Sequence, residues 1–551
     1  MTRTRSALLG LAAPAALLAA ATSAAGPAAA TATAVHADAA GLTASSPAHR
    51  RPSPSGPLHL GASDLVESRM TTTVAPGVTR TVISRGESDP SLRWVVEVSM
   101  PALASTDPDA PARSVQDRAA ALAQRERLAA AGLAASIEAV RQPAVADLPA
   151  SVIGYRLRLD ERPTDKARAD ALMAQLKAKK FAARSWWTGW DGDVAARGPW
   201  TINVLTIDPH RFRGRLGATF GPDLERRERT SELSAFTRAV AAVNGGFFVM
   251  DPSAGAEGDP AGAGVYDGRL LSEAVTGRPA LALDPGGRHT RVAHPVWQGR
   301  LRVGATEVRL DGIDRVIGKI RSCGGDLTDL PTALPLHDVT CVDPSEAVAY
   351  TPEFGARTPS GPGVEVVMHR GRVIAVRDQR GTMLGKGQTS VQVTGPLIEA
   401  VSAVKVGDRA DVVQSMTDGS ERLDRKGTTV VNGGPELVRG GELHVTQRRD
   451  GMHHADDPSF DYGWVLQRNP RTFAGVDARG RTLLVTVDGR QVGELGLTIP
   501  EAAQVAQDLG LRDALNLDGG GSTAMVVGGR LVTHPSDAAG ERAVGDAIVI
   551  R

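Results

Sequence analysis

Hydrophobic and polar positions follow two different rhythms along this chain, and the change falls near residue 195. Upstream, Trp94-Val95-Val96-Glu97-Val98 is a β-rich run. Residues 115–131, rich in Ala, Leu, Arg and Gln, predict a helix that Gly132 ends. Residues 136–140 predict a short strand. Ser151–Leu159 predicts another, with Val152, Tyr155, Leu157 and Leu159 setting most of an alternating pattern. A second helix is expected over 165–179, capped by Thr164, with Ala169, Leu172, Met173 and Leu176 on one face. Ala183–Trp187 closes the series. The order β-α-β-β-α-β is a split βαβ, ferredoxin-like arrangement, and residues 89–193 are expected to form this small domain.

Beyond about Gly198 helical stripes become rare and short β-rich runs separated by Gly, Asp and Pro dominate, among them Trp200–Ile207, 363–367, 373–377, Thr482–Val487 and 523–527. Two helical stretches stand out. Residues 231–242 precede an Asn-Gly-Gly turn. Thr498-Ile499-Pro500-Glu501 reads as a capping box, followed by Ala502, Val505, Ala506 and Leu509 on one face and by Gly510 as the stop. Residues 195–551 therefore predict one large α+β domain with a mixed sheet, preceded by the small split βαβ domain.

The N-terminus adds a destination. Arg3 and Arg5 precede an apolar stretch over 7–21, and small residues follow, so residues 1–30 read as a secretory signal peptide. The apolar stretch is short of the ~20 residues that span a bilayer, and no later stretch is apolar enough to span one. A secreted, extracellular or cell-wall-associated protein with no membrane span after signal removal is expected. Residues 31–88 read as a linker and N-terminal extension, because Ala, Pro, Ser, Thr and Gly dominate their first half. Lys+Arg 63 against Asp+Glu 62 gives a net charge of +1, without the basic excess of a nucleic-acid binder. The two cysteines, Cys323 and Cys341, are expected to form a disulfide in an oxidising compartment, worth about 3 kcal/mol by loop closure. Their spacing does not suggest zinc.

The densest chemistry is Asn516-Leu517-Asp518-Gly519-Gly520-Gly521-Ser522-Thr523. Three glycines after an Asp allow left-handed backbone and let a ligand approach bare N–H groups, while Ser522 and Thr523 add hydroxyls. Such a donor cluster beside one carboxylate suits an anionic sugar phosphate; a plain glycine hairpin is the other reading. The turn lacks the Gly-Lys-Ser/Thr ending of a P-loop, and Ala524 breaks a G-x-S-x-G elbow. Asn244-Gly245-Gly246-Phe247-Phe248 and Asn432-Gly433-Gly434-Pro435 are related turns. His453-His454-Ala455-Asp456-Asp457 lacks a third partner at ligand spacing and reads as a solvated loop. No metal or other cofactor is assigned, and calcium or another divalent ion at an Asp-rich turn stays open.

These blocks, with Asn469-Pro470-Arg471-Thr472, Gly475-Val476-Asp477 and Val487-Asp488-Gly489-Arg490, stand in the order of the phosphodiester glycosidase family, which residues 200–551 resemble. The resemblance implies hydrolysis of a sugar-1-phosphodiester, such as an N-acetylglucosamine-1-phosphodiester, at the anomeric C–O bond through an oxocarbenium-like transition state. On that reading Asp518 is the first catalytic carboxylate and Asp488 the second, with Asp477 and Glu436 behind them. Arg471 is the first choice for the phosphate, since guanidinium binds phosphate bidentately. Asn244, Gly245, Gly433, Gly434, Asn516, Gly519, Gly520, Gly521, Ser522 and Thr523 complete the expected substrate site. Phe247 and Phe248 either face a sugar ring or pack in the core. Residues 89–193 resemble the SPOR domain in element order, length and the closing Trp187-Thr188-Gly189-Trp190-Asp191-Gly192, which implies peptidoglycan strands as partner; a ferredoxin-like packing module is the alternative. Residues 288–364 match neither family and are expected to shape substrate choice. A cell-wall glycopolymer is the expected substrate. The competing readings are a non-catalytic glycan-binding protein of the same fold and a phosphodiesterase that cleaves P–O.

Overall fold

The computed structural model describes residues 56–101, 113–275, 277–320, 330–331 and 341–551. The signal expected over residues 1–30 lies outside them. Among the described residues no helix is long and apolar enough to cross a membrane.

An eight-stranded sheet forms the centre, in the order Glu67–Ala75, Val78–Arg85, Trp200–Ile207, Thr482–Val487, Arg471–Asp477, Leu511–Asn516, Glu436–Arg439, Glu442–Leu443. Neighbours in it run antiparallel. Parallel pairing enters the domain where Gly312–Ile313 meets Ala347–Tyr350. The inner strands are buried along their whole length because both faces of the sheet are covered. Alternation divides their side chains: Leu483, Val485 and Val487 join one core, while Leu484 joins another. The first core contains the helix Ile499–Asp508. Its predicted capping box is present, with Thr498 Oγ1 accepting from Glu501 N at 3.1 Å and Glu501 Oε2 from Thr498 N at 2.9 Å. The second core takes Val243, Met525, Ile548 and Ile550 from the sheet Arg530–Leu531, Met525–Val527, Ala241–Asn244, Ala547–Ile550, Leu216–Thr219. It also takes Leu281 and Val431 from a third sheet that includes Ala280–Leu283 and Thr429–Asn432. Three sheets thus converge on one apolar centre, and Leu484→Ala there would cost about 2–5 kcal/mol.

The structure corrects several expectations. The linker over 31–88 gives way to sheet at residue 67, where Glu67–Ala75 and Val78–Arg85 form the edge hairpin of the central sheet. Eight residues of its second strand pair with Trp200–Ile207. The run looks polar because Thr71, Thr72 and Thr73 face solvent while backbone pairing and the buried Val78 and Ile83 hold it. The helix expected over 231–242 is Thr230–Thr237; Arg238 turns left-handed at φ 54°, and Ala241–Asn244 is a strand. The second upstream helix, Lys166–Ala178, is capped by Asp165, not Thr164, through a 2.8 Å bond from Arg168 N.

Upstream of the large domain, a sheet runs Val115–Gln116, Ser151–Leu159, Trp94–Val98, Ala183–Trp187, with Ala135–Gln142 also paired to Ser151–Leu159. Its core is continuous with that of the central sheet: Trp94, Trp187 and Trp190 share a cluster with Phe473, Leu495 and Leu497. Buried charges join the same seam. Arg158 Nη2 meets Glu97 Oε2 at 2.9 Å and Nη1 meets Asp191 Oδ2 at 2.6 Å, and the Tyr462 hydroxyl donates to Glu97 at 2.7 Å. Trp186, Trp187 and Trp190 are all buried, so the aromatic closing turn serves packing and not an exposed glycan face.

The region around 288–364 belongs to a lobe with its own core, including Leu301, Val308, Val366, Val391 and Val401. Cys341 is buried. Cys323 lies outside the described residues, and so does the expected pairing of the two.

Candidate active site

Three asparagines each end a strand of a different sheet. Asn244 closes Ala241–Asn244, Asn432 closes Thr429–Asn432 and Asn516 closes Leu511–Asn516, and all three are buried. A buried amide seeks hydrogen-bond partners, and each of these ties a neighbouring loop. Asn244 Nδ2 donates to the Asp518 carbonyl at 2.7 Å, while its Oδ1 accepts from Thr472 Oγ1 at 2.7 Å and Ala524 N at 3.1 Å. Asn432 brackets Phe247, accepting from its N–H at 2.9 Å and donating to its carbonyl at 3.1 Å. Asn516 Nδ2 donates to the Gly434 carbonyl at 3.0 Å and the Leu517 carbonyl at 2.7 Å. The glycine-rich loops are thereby gathered at one point. Asp546 completes the support: its Oδ1 accepts from Gly246 N and its Oδ2 from the Tyr266 hydroxyl, both at 2.9 Å, and burial pushes its carboxyl up to about 6.

The gathered loops open on a cavity of about 260 Å³. Asp518 and the three glycines after it form one wall. Asp518 Oδ1 accepts from Gly519 N at 2.9 Å, and burial pushes its carboxyl up to about 6. Gly520 holds φ 59°, which favours glycine. A Cβ on Gly521 would lie 2.3 Å from Arg542 Nη2 and 2.4 Å from Asp537 Oδ2, so only glycine lets that ion pair come so close.

Three arginines, Arg471, Arg490 and Arg542, line the cavity next to this turn. Arg471 is 1% exposed, and its hydrogen bonds run to the carbonyls of Leu497, Trp464 and Gln467 at 2.8, 2.7 and 3.2 Å. Burial, with Arg490 nearby, pulls its guanidinium down to about 9. Arg490 donates through Nε to Asn469 Oδ1 at 2.8 Å, and its terminal nitrogens stand over Gly520. It sits at φ 57°, a left-handed conformation that costs a side-chain-bearing residue roughly 1–2 kcal/mol. Backbone strain of this kind clusters at functional sites. Arg542 is paired with Asp537 at 2.7 Å. Arg471 and Arg490 have no carboxylate in salt-bridge contact among the described residues, so two positive charges face a cleft that holds one acid, Asp518. That field receives an anion.

The remaining walls are apolar: Phe247, Phe248, Met250 and Trp464. Trp464 rides on the π-helix Tyr462–Leu466, is only half-buried, and meets Phe247 edge-on with ring centroids 5.6 Å apart. It offers a ring-sized platform beside the cations.

Of the site residues expected from sequence, Asp518, Arg471, Gly519, Gly520 and Gly521 line the cavity. Asn244, Gly245, Gly433, Gly434, Asn516, Ser522 and Thr523 do not; they form the support behind it. Gly434 N donates to the Asn516 carbonyl at 2.7 Å, Gly245 N to the Asp546 carbonyl at 3.0 Å and Gly433 N to the Pro279 carbonyl at 3.2 Å. Ser522 Oγ is buried beside the Asp518 carboxyl, whose ionised form it favours. Asp488 also stands off the cavity, in a group with Glu494 and His534. Asp477 is bound to Arg481 at 2.7 Å, and Glu436 to Arg439 and Arg449, which accounts for both acids. His453 Nδ1 contacts Asp461 Oδ2 at 2.6 Å, in a pair without a third ligand among the described residues. Phe247 and Phe248 are both buried and on the cavity wall, so packing and lining coincide.

Sequence reasoning missed Arg490, Trp464 and Arg542. Arg490 lay inside Val487-Asp488-Gly489-Arg490, but the Asp drew the catalytic assignment and an arginine after Asp-Gly reads as an ordinary turn residue. Trp464 and Arg542 carry no local signal, since long-range pairing alone brings them to the cavity.

Residues 362–551 match the family model of the phosphodiester glycosidase domain. Among curated relatives, the N-acetylglucosamine-1-phosphodiester alpha-N-acetylglucosaminidases of Bos taurus and Mus musculus are 33% and 32% identical over 103 residues, 18% of this chain. The match spans about a fifth of those relatives' length, 19% and 20%. A crystal structure of a Burkholderia pseudomallei protein, whose name describes it as inferred to be exported, is 31% identical and covers 91% of this chain and 100% of its own, with a TM-score of 0.79. A hypothetical protein from Synechocystis shares the fold at 18% identity, covering 90% of this chain and 83% of its own, with a TM-score of 0.50. Within this chain, the likeness to the phosphodiester glycosidase family is carried by residues 362–551.

Proposed function

We propose that this protein is an exported glycosidase that hydrolyses a sugar-1-phosphodiester at the anomeric C–O bond. The observation that carries the reading is the sharing of one cavity by Asp518 and by two guanidiniums, Arg471 and Arg490, that lack carboxylate partners among the described residues. The phosphodiester sits against Arg490 and the turn Gly519 to Gly521, with Arg471 adding positive field. The sugar ring lies on Trp464. As the C–O bond lengthens, negative charge gathers on the departing phosphate, where the cations already stand, so stabilisation grows toward the transition state. Positive charge gathers on the sugar, within reach of Asp518. In its ionised form Asp518 takes a proton from the attacking water, whose oxygen joins the anomeric carbon. Phosphate monoester is a good leaving group, since its second pKa is near ~6, and this lessens the need for a strong general acid.

The relatives' name for their substrate, an N-acetylglucosamine-1-phosphodiester, supports N-acetylglucosamine as the first sugar to try. Residues 1–30 and the name of the Burkholderia pseudomallei protein support export, and a cell-wall glycopolymer is the substrate class that an exported enzyme of this kind meets. Purified full-length chain should release N-acetylglucosamine from a uridine-diphosphate- or aryl-phosphate-linked sugar. Asp518→Asn should lose at least about 100-fold in kcat while keeping its fold, the size of effect of a general base. Equal turnover by that variant would remove Asp518 from the chemistry.

A further inference from the structure

Asp488 ends the Thr482–Val487 strand and directly precedes Gly489 and the strained Arg490, yet its side chain does not reach the cavity. The carboxylate is 1% exposed. Its Oδ1 accepts from His534 N at 3.1 Å, while its Oδ2 is buried with no hydrogen-bond donor. Glu494 repeats the pattern: Oε1 lies 2.7 Å from His534 Nδ1, and Oε2 is buried without a hydrogen-bond partner. The same Nδ1 is 3.5 Å from Asp488 Oδ2. Two carboxylates and one imidazole nitrogen therefore face one point, with ligand atoms all within 4.8 Å of one another.

Two acids beside each other repel, and each has one buried oxygen with unmet demand. One histidine nitrogen contacts only one of them closely. A divalent ion satisfies both, because metal–ligand bonds of ~2.0–2.2 Å put tetrahedral ligand atoms roughly 3.3 Å apart, within the spread seen here. We propose that Asp488, Glu494 and His534 bind one divalent transition-metal ion of the zinc class. The mixed oxygen and nitrogen donors favour such an ion over calcium, which takes oxygen ligands in larger number. His534 is the exposed member, so the ion enters from solvent and keeps water on its open side. The site is structural: it pins the start of the Asp488-Gly489-Arg490 turn to the loop that carries His534.

The test is calorimetric titration of chelator-stripped full-length protein with zinc chloride, paired with the melting temperature with and without zinc. Wild type should take up one equivalent and its Tm should rise. His534→Ala changes an exposed side chain and should fold normally, and it should lose that equivalent and the Tm rise; Asp488→Asn should do the same. His453→Ala, at the other histidine–aspartate pair, should bind as wild type does. No stoichiometric uptake by wild type, or undiminished uptake in His534→Ala, overturns the proposal. Saturation by calcium chloride in place of zinc overturns the part assigned to the imidazole.

Discussion

Asn244 Nδ2 donates to the main-chain carbonyl of Asp518 at 2.7 Å, joining residues 274 positions apart. The same amide accepts from Thr472 and from the Ala524 N–H, so one side chain sets both ends of the loop that carries Asp518. Asn244→Ala strands two buried backbone groups, and urea unfolding should show a loss of about 2–4 kcal/mol. Turnover should fall with it, although Asn244 lines no part of the cavity.

The second prediction concerns pH. The Asp518 carboxyl is raised to about 6 from an ordinary 3.8, with burial as the main cause. A raised carboxyl binds its proton more tightly in the folded state, so between about pH 4 and 6 the native protein holds more protons than the unfolded chain. The contribution of this group to stability therefore falls as pH rises through that window. The ionised base appears over the same range, so kcat/KM should climb with pH to a plateau above about 6. Asp518→Asn should remove this group's share of the stability slope, leaving that of Asp546 and Asp488, and should be inactive yet at least as stable as wild type at neutral pH. Denaturant midpoints and rate profiles from pH 4 to 8 check this.

Arg490 lends itself to a paired substitution. Its φ of 57° suits glycine. Arg490→Gly should be more stable than Arg490→Ala by about 1 kcal/mol, since both lose the side chain but only alanine keeps the left-handed cost. Both should lose on the order of 100-fold in kcat/KM, as befits removal of charge-assisted hydrogen bonds to phosphate. Steady-state kinetics and denaturation of the two variants check it together.

Gly521 tests the close approach of the Arg542–Asp537 pair. Gly521→Ala pushes a methyl group into both partners, and the pair must open. A stability cost of about 1–3 kcal/mol is expected, along with weaker substrate binding, because the cavity wall moves. Gly529→Ala, on a turn with no atom within 4 Å of the added Cβ, bears only its backbone cost at φ 73° and should leave substrate binding unchanged.

Features of the fold that depend on neighbours in sequence were legible before the structure. The Thr498–Glu501 capping box and the β-rich run Thr482–Val487 are local, and their physics is complete within a few residues. The hairpin Glu67–Ala75 and Val78–Arg85 was not legible, because its partner strand begins at Trp200 and its exposed threonines resemble a linker. At the site, Asp518 and its glycines announce themselves through an unusual backbone requirement. The asparagines were legible as motif residues but not as braces, since their partners lie in other sheets. Trp464 was illegible because nothing near it in sequence marks a cavity wall, and Arg490 was passed over because the aspartate of its motif drew the assignment. Asp488 was assigned to catalysis on the strength of its motif, whereas its side chain turns away to Glu494 and His534.

The central claim is that water attacks carbon in this cavity and phosphate departs intact. Hydrolysis of the sugar phosphodiester in oxygen-18 water, with mass analysis of both products, tests it most directly. Heavy oxygen in the released sugar, and none in the phosphate monoester, is the predicted result; heavy oxygen in the phosphate would contradict it.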